Sequence, residues 1–169
     1  THWHHLYNPR QLLMIGLFQE KSAETAKTPE IEATLLLGIG RMANWCARLC
    51  VWDSGAAKEL SQHIFYNQAL NTLSNYGTRV HTSIESTWYF NIPNRNISPN
   101  SHITPIDARI TSHAAHLWIT DPPYADAVNY EELSELFLAW YEKRLPVVFP
   151  EWYADSKRAL AVKGADENF

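Results

Sequence analysis

Asp121-Pro122-Pro123-Tyr124 places a carboxylate, two backbone-stiffening prolines and an aromatic ring in consecutive positions, directly after the apolar run Leu117-Trp118-Ile119-Thr120. Each proline holds φ near about −65° and removes a backbone donor, so the carbonyls of Asp121 and Pro122 project from a rigid turn. A carboxylate and a peptide carbonyl side by side match the two hydrogens of an amino group, and Tyr124 adds a flat face. A planar heterocycle with an exocyclic amine uses all three. Stacking on an aromatic ring contributes roughly 1–3 kcal/mol, and a hydrogen bond to a charged acceptor roughly 1.5–3 kcal/mol. The apolar run reads as a short buried strand over 116–120, and open α/β sheets bind ligands beyond the carboxyl ends of their strands. Taken alone, the tetrapeptide also fits an ordinary loop whose tyrosine caps a core.

The longer segment from Ile119 to Phe137, with its second block Tyr130-Glu131-Glu132-Leu133-Ser134, resembles the catalytic motif region of S-adenosylmethionine-dependent DNA amino methyltransferases. It is similar to the segment found in the adenine-specific methylases of phage-defence loci. Three earlier stretches match blocks of the same family in the same order: Tyr7-Asn8-Pro9-Arg10-Gln11-Leu12-Leu13, then Leu37 to Trp45 with Leu49-Cys50-Val51-Trp52, then Phe65-Tyr66-Asn67-Gln68-Ala69-Leu70-Asn71. Together the blocks span most of residues 7–145.

The resemblance implies an α/β fold, part of a Rossmann-like methyltransferase sheet with a helix-rich N-terminal half. It implies methylation of the adenine amino group in DNA with S-adenosylmethionine as cofactor. In that scheme Asp121, Pro122, Pro123 and Tyr124 are the catalytic residues, and Tyr124, Asn129 and Tyr130 contact the flipped base. Unstacking that base costs a few kcal/mol, offset in part by stacking on Tyr124. Asp at position 121, where related families carry Ser, favours adenine over cytosine.

One departure from the family pattern is large. These enzymes cradle the cofactor on a glycine-rich loop of the type Phe-x-Gly-x-Gly, and the six glycines here (Gly16, Gly38, Gly40, Gly55, Gly77, Gly164) contain no such loop. Only Gly38 and Gly40 are close together, and they sit in an apolar helical pattern that suits close helix packing. The chain is therefore expected to be a fragment, 1–169, of one catalytic domain, inactive alone. Its parts would be a helical part over 7–76, a loop over 91–105, and the motif strand, turn and following helix over 106–145. Its partners would be DNA, the remainder of the parent methylase and other phage-defence proteins.

Punctuation sets the elements that must position the motif. Asn8 caps and Pro9 opens a first helix to about Lys21, with Leu12, Leu13, Ile15, Leu17 and Phe18 as its buried stripe and a polar break over 22–28. Thr28-Pro29-Glu30 starts a second helix over 29–51, whose Ile31, Leu35, Ile39, Met42, Cys46 and Leu49 mark the core face. A polar loop follows over 53–63, then a third helix over 67–76 stopped by Gly77. Residues 91–105 hold Pro93, Pro99 and Pro105 among asparagines and serines and read as a loop. Ala108 to Thr111 reads as a short strand. After the motif, Asn129 caps an amphipathic helix over 130–144 with Leu133, Leu136, Phe137, Trp140 and Tyr141 on one side. Pro146 and Pro150 are expected to end it, and Trp152 to Ala161 reads as one more short helix.

With 169 residues the default is one domain, burying about two-thirds of the surface its unfolded chain exposes. No apolar stretch approaches the ~20 residues a bilayer requires, so no membrane association and a cytoplasmic location are expected. The net charge of −4 argues against a dominant phosphate-binding surface in this chain, although a base pocket itself needs an acid. Cys46 and Cys50 read as buried small residues. No metal site is expected: His2, His4 and His5 read as a frayed terminus, His113 and His116 as surface or edge residues, and Glu131 and Glu132 as charge on the first turn of a helix. Two rival classes stay open. One is an amino methyltransferase acting on cytosine, RNA or a protein amide; the other is a non-catalytic module that senses DNA in a defence system.

Overall fold

A computed structural model describes residues 2–53, 60–66, 88, 96, 98–104, 111–121, 128 and 130–150. Its centre is a helical hairpin. Helix α1 (Pro9–Thr25) begins at a reciprocal cap: the Gln11 amide donates to Asn8 Oδ1 and the Asn8 amide donates to Gln11 Oε1, both at 2.8 Å. Two of the orphan donors of the first turn are thereby satisfied, and Pro9 at the first helical position needs none. Helix α2 (Pro29–Trp45) starts the same way, with Thr28 Oγ1 accepting from the Ile31 amide at 3.3 Å and Pro29 next to it. The three-residue link Ala26–Thr28 forces the two helices to pack as neighbours.

Helix α1 runs one turn beyond its expected end at Lys21. Ser22 does not break it, because its hydroxyl donates back to the Phe18 carbonyl at 2.7 Å and stays within the helical ladder. The buried face also differs from the expected stripe. Gln11, Ile15 and Ser22 are buried, whereas Leu13 and Leu17 are exposed. The 3.6-residue period puts positions 11, 15, 18 and 22 on one face, and 13 and 17 point away from it. Helix α2 ends at Trp45, six residues earlier than expected, so Cys46 and Cys50 flank a turn and do not share a helix face. Both are buried, as the sequence suggested. The core face of α2 is Leu36, Ile39, Met42 and Ala43, and Ile31 is largely exposed.

A two-residue antiparallel pairing joins β1 (Trp52–Asp53) to β2 (Leu60–Ser61), with Trp52 opposite Ser61. A 3-10 turn at Ile64–Tyr66 then places Ile64 in the core, its amide donating to Asn44 Oδ1 at 3.3 Å. Helix α3 (Tyr130–Tyr141) packs on α2 through the buried Leu136, with Trp140 against the same core. A turn over 142–144 leads into the short α4 (Leu145–Val148). Pro146 lies in the first turn of α4, where its missing donor is harmless, so it opens a helix instead of ending one. A 3-10 turn at Trp3–Leu6 orders the N-terminal stretch read as frayed, and Arg48 holds it by donating its amide to the Leu6 carbonyl at 2.7 Å.

The expected α/β architecture is not what the described residues form. They are helix-rich, and their β content is the four residues of the β1–β2 pairing. The stretch expected as the motif strand, 116–120, has no strand or helix, and Leu117, Trp118 and Ile119 are 73 %, 55 % and 87 % exposed. A strand exists only when a neighbour accepts and donates along its edge, and among the described residues none lies beside this run. There is thus no Rossmann-like sheet in the described part. Thr111 likewise has no regular structure, while residues 108–110, the expected third helix 67–76 and the last helix 152–161 lie outside the described residues. The described parts of the 91–105 loop, residue 96 and 98–104, are exposed and contain a turn but no helix or strand.

Candidate functional site

Two residues of the candidate site can be placed. Asp121 is exposed at the end of the irregular stretch 111–121. Tyr130 is half-buried as the first residue of α3, its amide donating to the Val128 carbonyl at 3.1 Å. Pro122, Pro123, Tyr124 and Asn129 lie outside the described residues. What the structure places around them is a carboxylate open to solvent on one side and the start of a helix on the other. The carboxylate arises from a stretch that buries none of its apolar side chains, whereas the helix is pinned by its far end.

That pinning is the part of the neighbourhood that sequence reasoning missed. The Tyr7 hydroxyl, buried in the core, donates to the Ala43 carbonyl at 3.1 Å and accepts from Trp140 Nε1 at 3.3 Å, with the two rings edge to face at 5.3 Å. Gln19 Nε2 donates to the Trp140 carbonyl, and Arg144 Nε donates to Glu32 Oε1, each at 2.5 Å. Glu32 is mostly buried, so its charge is accommodated by this pair. Nothing in the hydrophobic pattern singles out Gln19, Glu32 or Tyr7, because their partners Trp140 and Arg144 are more than a hundred residues away in sequence. Gln11 was legible in principle: Asn-x-x-Gln is the spacing of a capping box.

The electrostatics follow burial. Removal from water pushes the Tyr7 phenol well above its ordinary value, against the opposing hydrogen bond from Trp140, and pushes Tyr141 up to about 12. At the N-terminus, desolvation and then the neighbouring His4 and His2 lower His5. The rings of His2, His4 and His5 sit 4.3–5.6 Å apart, centroid to centroid. Among the described residues no group of three histidine, cysteine or acidic side chains has the arrangement of a metal site. His113 and His116 are exposed.

The two close glycines test the fit of the cofactor. A Cβ on Gly38 would stand 3.1 Å from the Trp88 ring, and one on Gly40 would collide with the Tyr141 hydroxyl. Both glycines therefore serve helix packing, as their apolar surroundings suggested, and offer no open backbone to a nucleotide. Compared with models of protein families, with curated proteins and with solved structures, the chain gives no match. Among the described residues no helix is long and apolar enough to cross a membrane.

Proposed function

We propose that the protein carrying this chain methylates the adenine amino group in DNA, with S-adenosylmethionine as donor, and that the Asp121-Pro122-Pro123-Tyr124 turn holds the flipped base. The observation that carries the reading is the exposed carboxylate of Asp121 immediately before two prolines and a tyrosine. The carboxylate and the Pro122 carbonyl accept the two amine hydrogens, Tyr124 stacks on the ring, and Asn129 and Tyr130 line the base. Fixing the amine in this way is catalysis by positioning. The partners proposed with it are DNA and other proteins of a phage-defence system.

In the whole protein, Asp121→Ala and Tyr124→Ala are expected to abolish methyl transfer to adenine in duplex DNA while leaving the circular dichroism spectrum unchanged. Full activity in Asp121→Ala sinks the assignment, and product found on cytosine, RNA or a protein amide alone replaces the substrate.

The absence of a glycine-rich loop from the sequence favours a second reading, a non-catalytic module that senses DNA. Isothermal titration of the 169-residue chain with S-adenosylmethionine is expected to give no heat on either reading. The two part on whether the whole protein transfers a methyl group at all.

A further inference from the structure

Helix α1 buries one side in the core and leaves the other to solvent. Arg10, Leu13, Leu17, Glu20 and Glu24 recur at alternating three- and four-residue spacing, so they share one face, and all five are exposed. That face lies opposite the one that carries Gln11, Ile15 and Ser22. Leu13 is 61 % and Leu17 43 % exposed, and beside them a Cβ on Gly16 would meet nothing. Two leucines at coiled-coil spacing in the middle of an exposed face suit packing on another helix.

The charges say which helix. Arg10 stands in the first turn of α1 and Glu20 and Glu24 towards its end, with Lys21 at the edge of the face and paired to Glu24. The helix dipole favours the reverse order, acids first and bases last, so this arrangement costs α1 some stability on its own. An antiparallel neighbour of the same sequence turns that cost into a gain, because each Arg10 then lies at the acidic C-terminal end of the other helix. The spacing agrees. With a two-fold axis at position 15, Leu13 of one copy meets Leu17 of the other and Arg10 meets Glu20, since both pairs are symmetric about that position. Parallel pairing would instead set Arg10 on Arg10 and Glu20 on Glu20.

We infer that this face of α1 is a self-association surface, and that its occupant is the same face of a second copy of this chain in antiparallel register. The inference is independent of the proposed methyl transfer. Helix α1 is about 25 Å long and the stripe one side chain wide, short of the ~800 Å² per partner of a standard interface, so the pairing is weak and concentration-dependent.

Sedimentation velocity of the 169-residue chain through the micromolar-to-millimolar range is expected to show monomer passing into dimer; monomer throughout overturns the inference. Leu17→Glu, at an exposed site, is expected to keep the circular dichroism spectrum and leave only monomer, and an undiminished dimer overturns the inference as well. Arg10→Glu and Glu20→Arg are each expected to weaken the dimer about tenfold by setting two like-charged pairs face to face. Arg10→Glu suits the helix dipole, so its weaker dimer cannot be laid to a weaker fold. An equimolar mixture of the two variants makes both pairs opposite in sign again and is expected to associate as tightly as the parent; failure to do so overturns the pairing of Arg10 with Glu20.

A spin label on Thr25→Cys, an exposed position ten residues from the axis, reads the direction by pulsed electron resonance, since the native thiols are buried. Antiparallel pairing places the two labels about 30 Å apart along the helices. A side-by-side separation of about 10 Å, the spacing of parallel neighbours, overturns the register.

Discussion

The helical hairpin and the motif segment have similar apolar content and opposite fates. In α1 and α2, Ile15, Leu36, Ile39 and Met42 are at most 2 % exposed, whereas Leu117, Trp118 and Ile119 are mostly exposed. The difference lies in how each element satisfies its backbone. A helix closes its own hydrogen bonds and needs a partner only for its stripe, which the short link to the next helix supplies. An extended run has no internal partner and stays irregular until another strand lies beside it. Hydrophobic side chains are therefore sufficient for burial in the first region and insufficient in the second.

The largest expected effect breaks the helical side of this contrast. Ile39→Ala removes a fully buried side chain at the hairpin's centre and is expected to destabilise the chain by about 2–5 kcal/mol in urea unfolding. Loss of less than ~1 kcal/mol would place the core elsewhere.

Next comes the polar node that joins α3 to the hairpin. Tyr7→Phe leaves Trp140 Nε1 and the Ala43 carbonyl without their partner, at a cost of about 1–3 kcal/mol. The same node gives a pH signature. Tyr7 and Tyr141 bind their protons more tightly in the fold than in the unfolded chain, so their contribution is complete below about pH 10, the ordinary tyrosine value, and is lost as pH rises above it. The urea midpoint should fall steeply between about pH 10 and 12 and less steeply in Tyr7→Phe; identical slopes would count against burial of that phenol.

A smaller effect sharpens how the hairpin begins. Asn8→Ala removes one side of the reciprocal cap and is expected to cost about 1 kcal/mol, with Asn8→Ser recovering most of it. The smallest lies in the other region. Ile119→Ser, at a site 87 % exposed, is expected to change stability by no more than about 0.5 kcal/mol. A loss comparable to Ile39→Ala would mean that the segment is packed in solution and would remove the contrast altogether.

Much of the helical part was legible. Asn8-Pro9 and Thr28-Pro29 mark both helix starts because a capping side chain and a proline at the first position act within a single turn. Tyr130 marks the start of α3, and Gly38 and Gly40 mark close packing. Helix ends were less legible. Trp45 is followed by Cys46 in a non-helical conformation, yet neither glycine nor proline announces the stop. The buried face of α1 was misread because Leu13 and Leu17 looked like core by type alone, while Gln11 and Ser22, polar but hydrogen-bonded, take the buried positions. The motif strand was misread for a different reason: its apolar run met the local condition for a strand and, among the described residues, lacks the non-local one.

The candidate site divides along the same line. The amine-holding chemistry proposed for Asp121, Pro122, Pro123 and Tyr124 rests on residue type and order, since adjacent acceptors and a ring sit within four positions of chain. The helix starts, too, are decided by side chains reaching two or three residues ahead. Tertiary structure alone decided which face of each helix is buried, where α2 stops and what holds α3 in place. Those outcomes depend on Tyr7 meeting Trp140 and Glu32 meeting Arg144 across 133 and 112 residues, and separations of that size leave no trace in a local pattern.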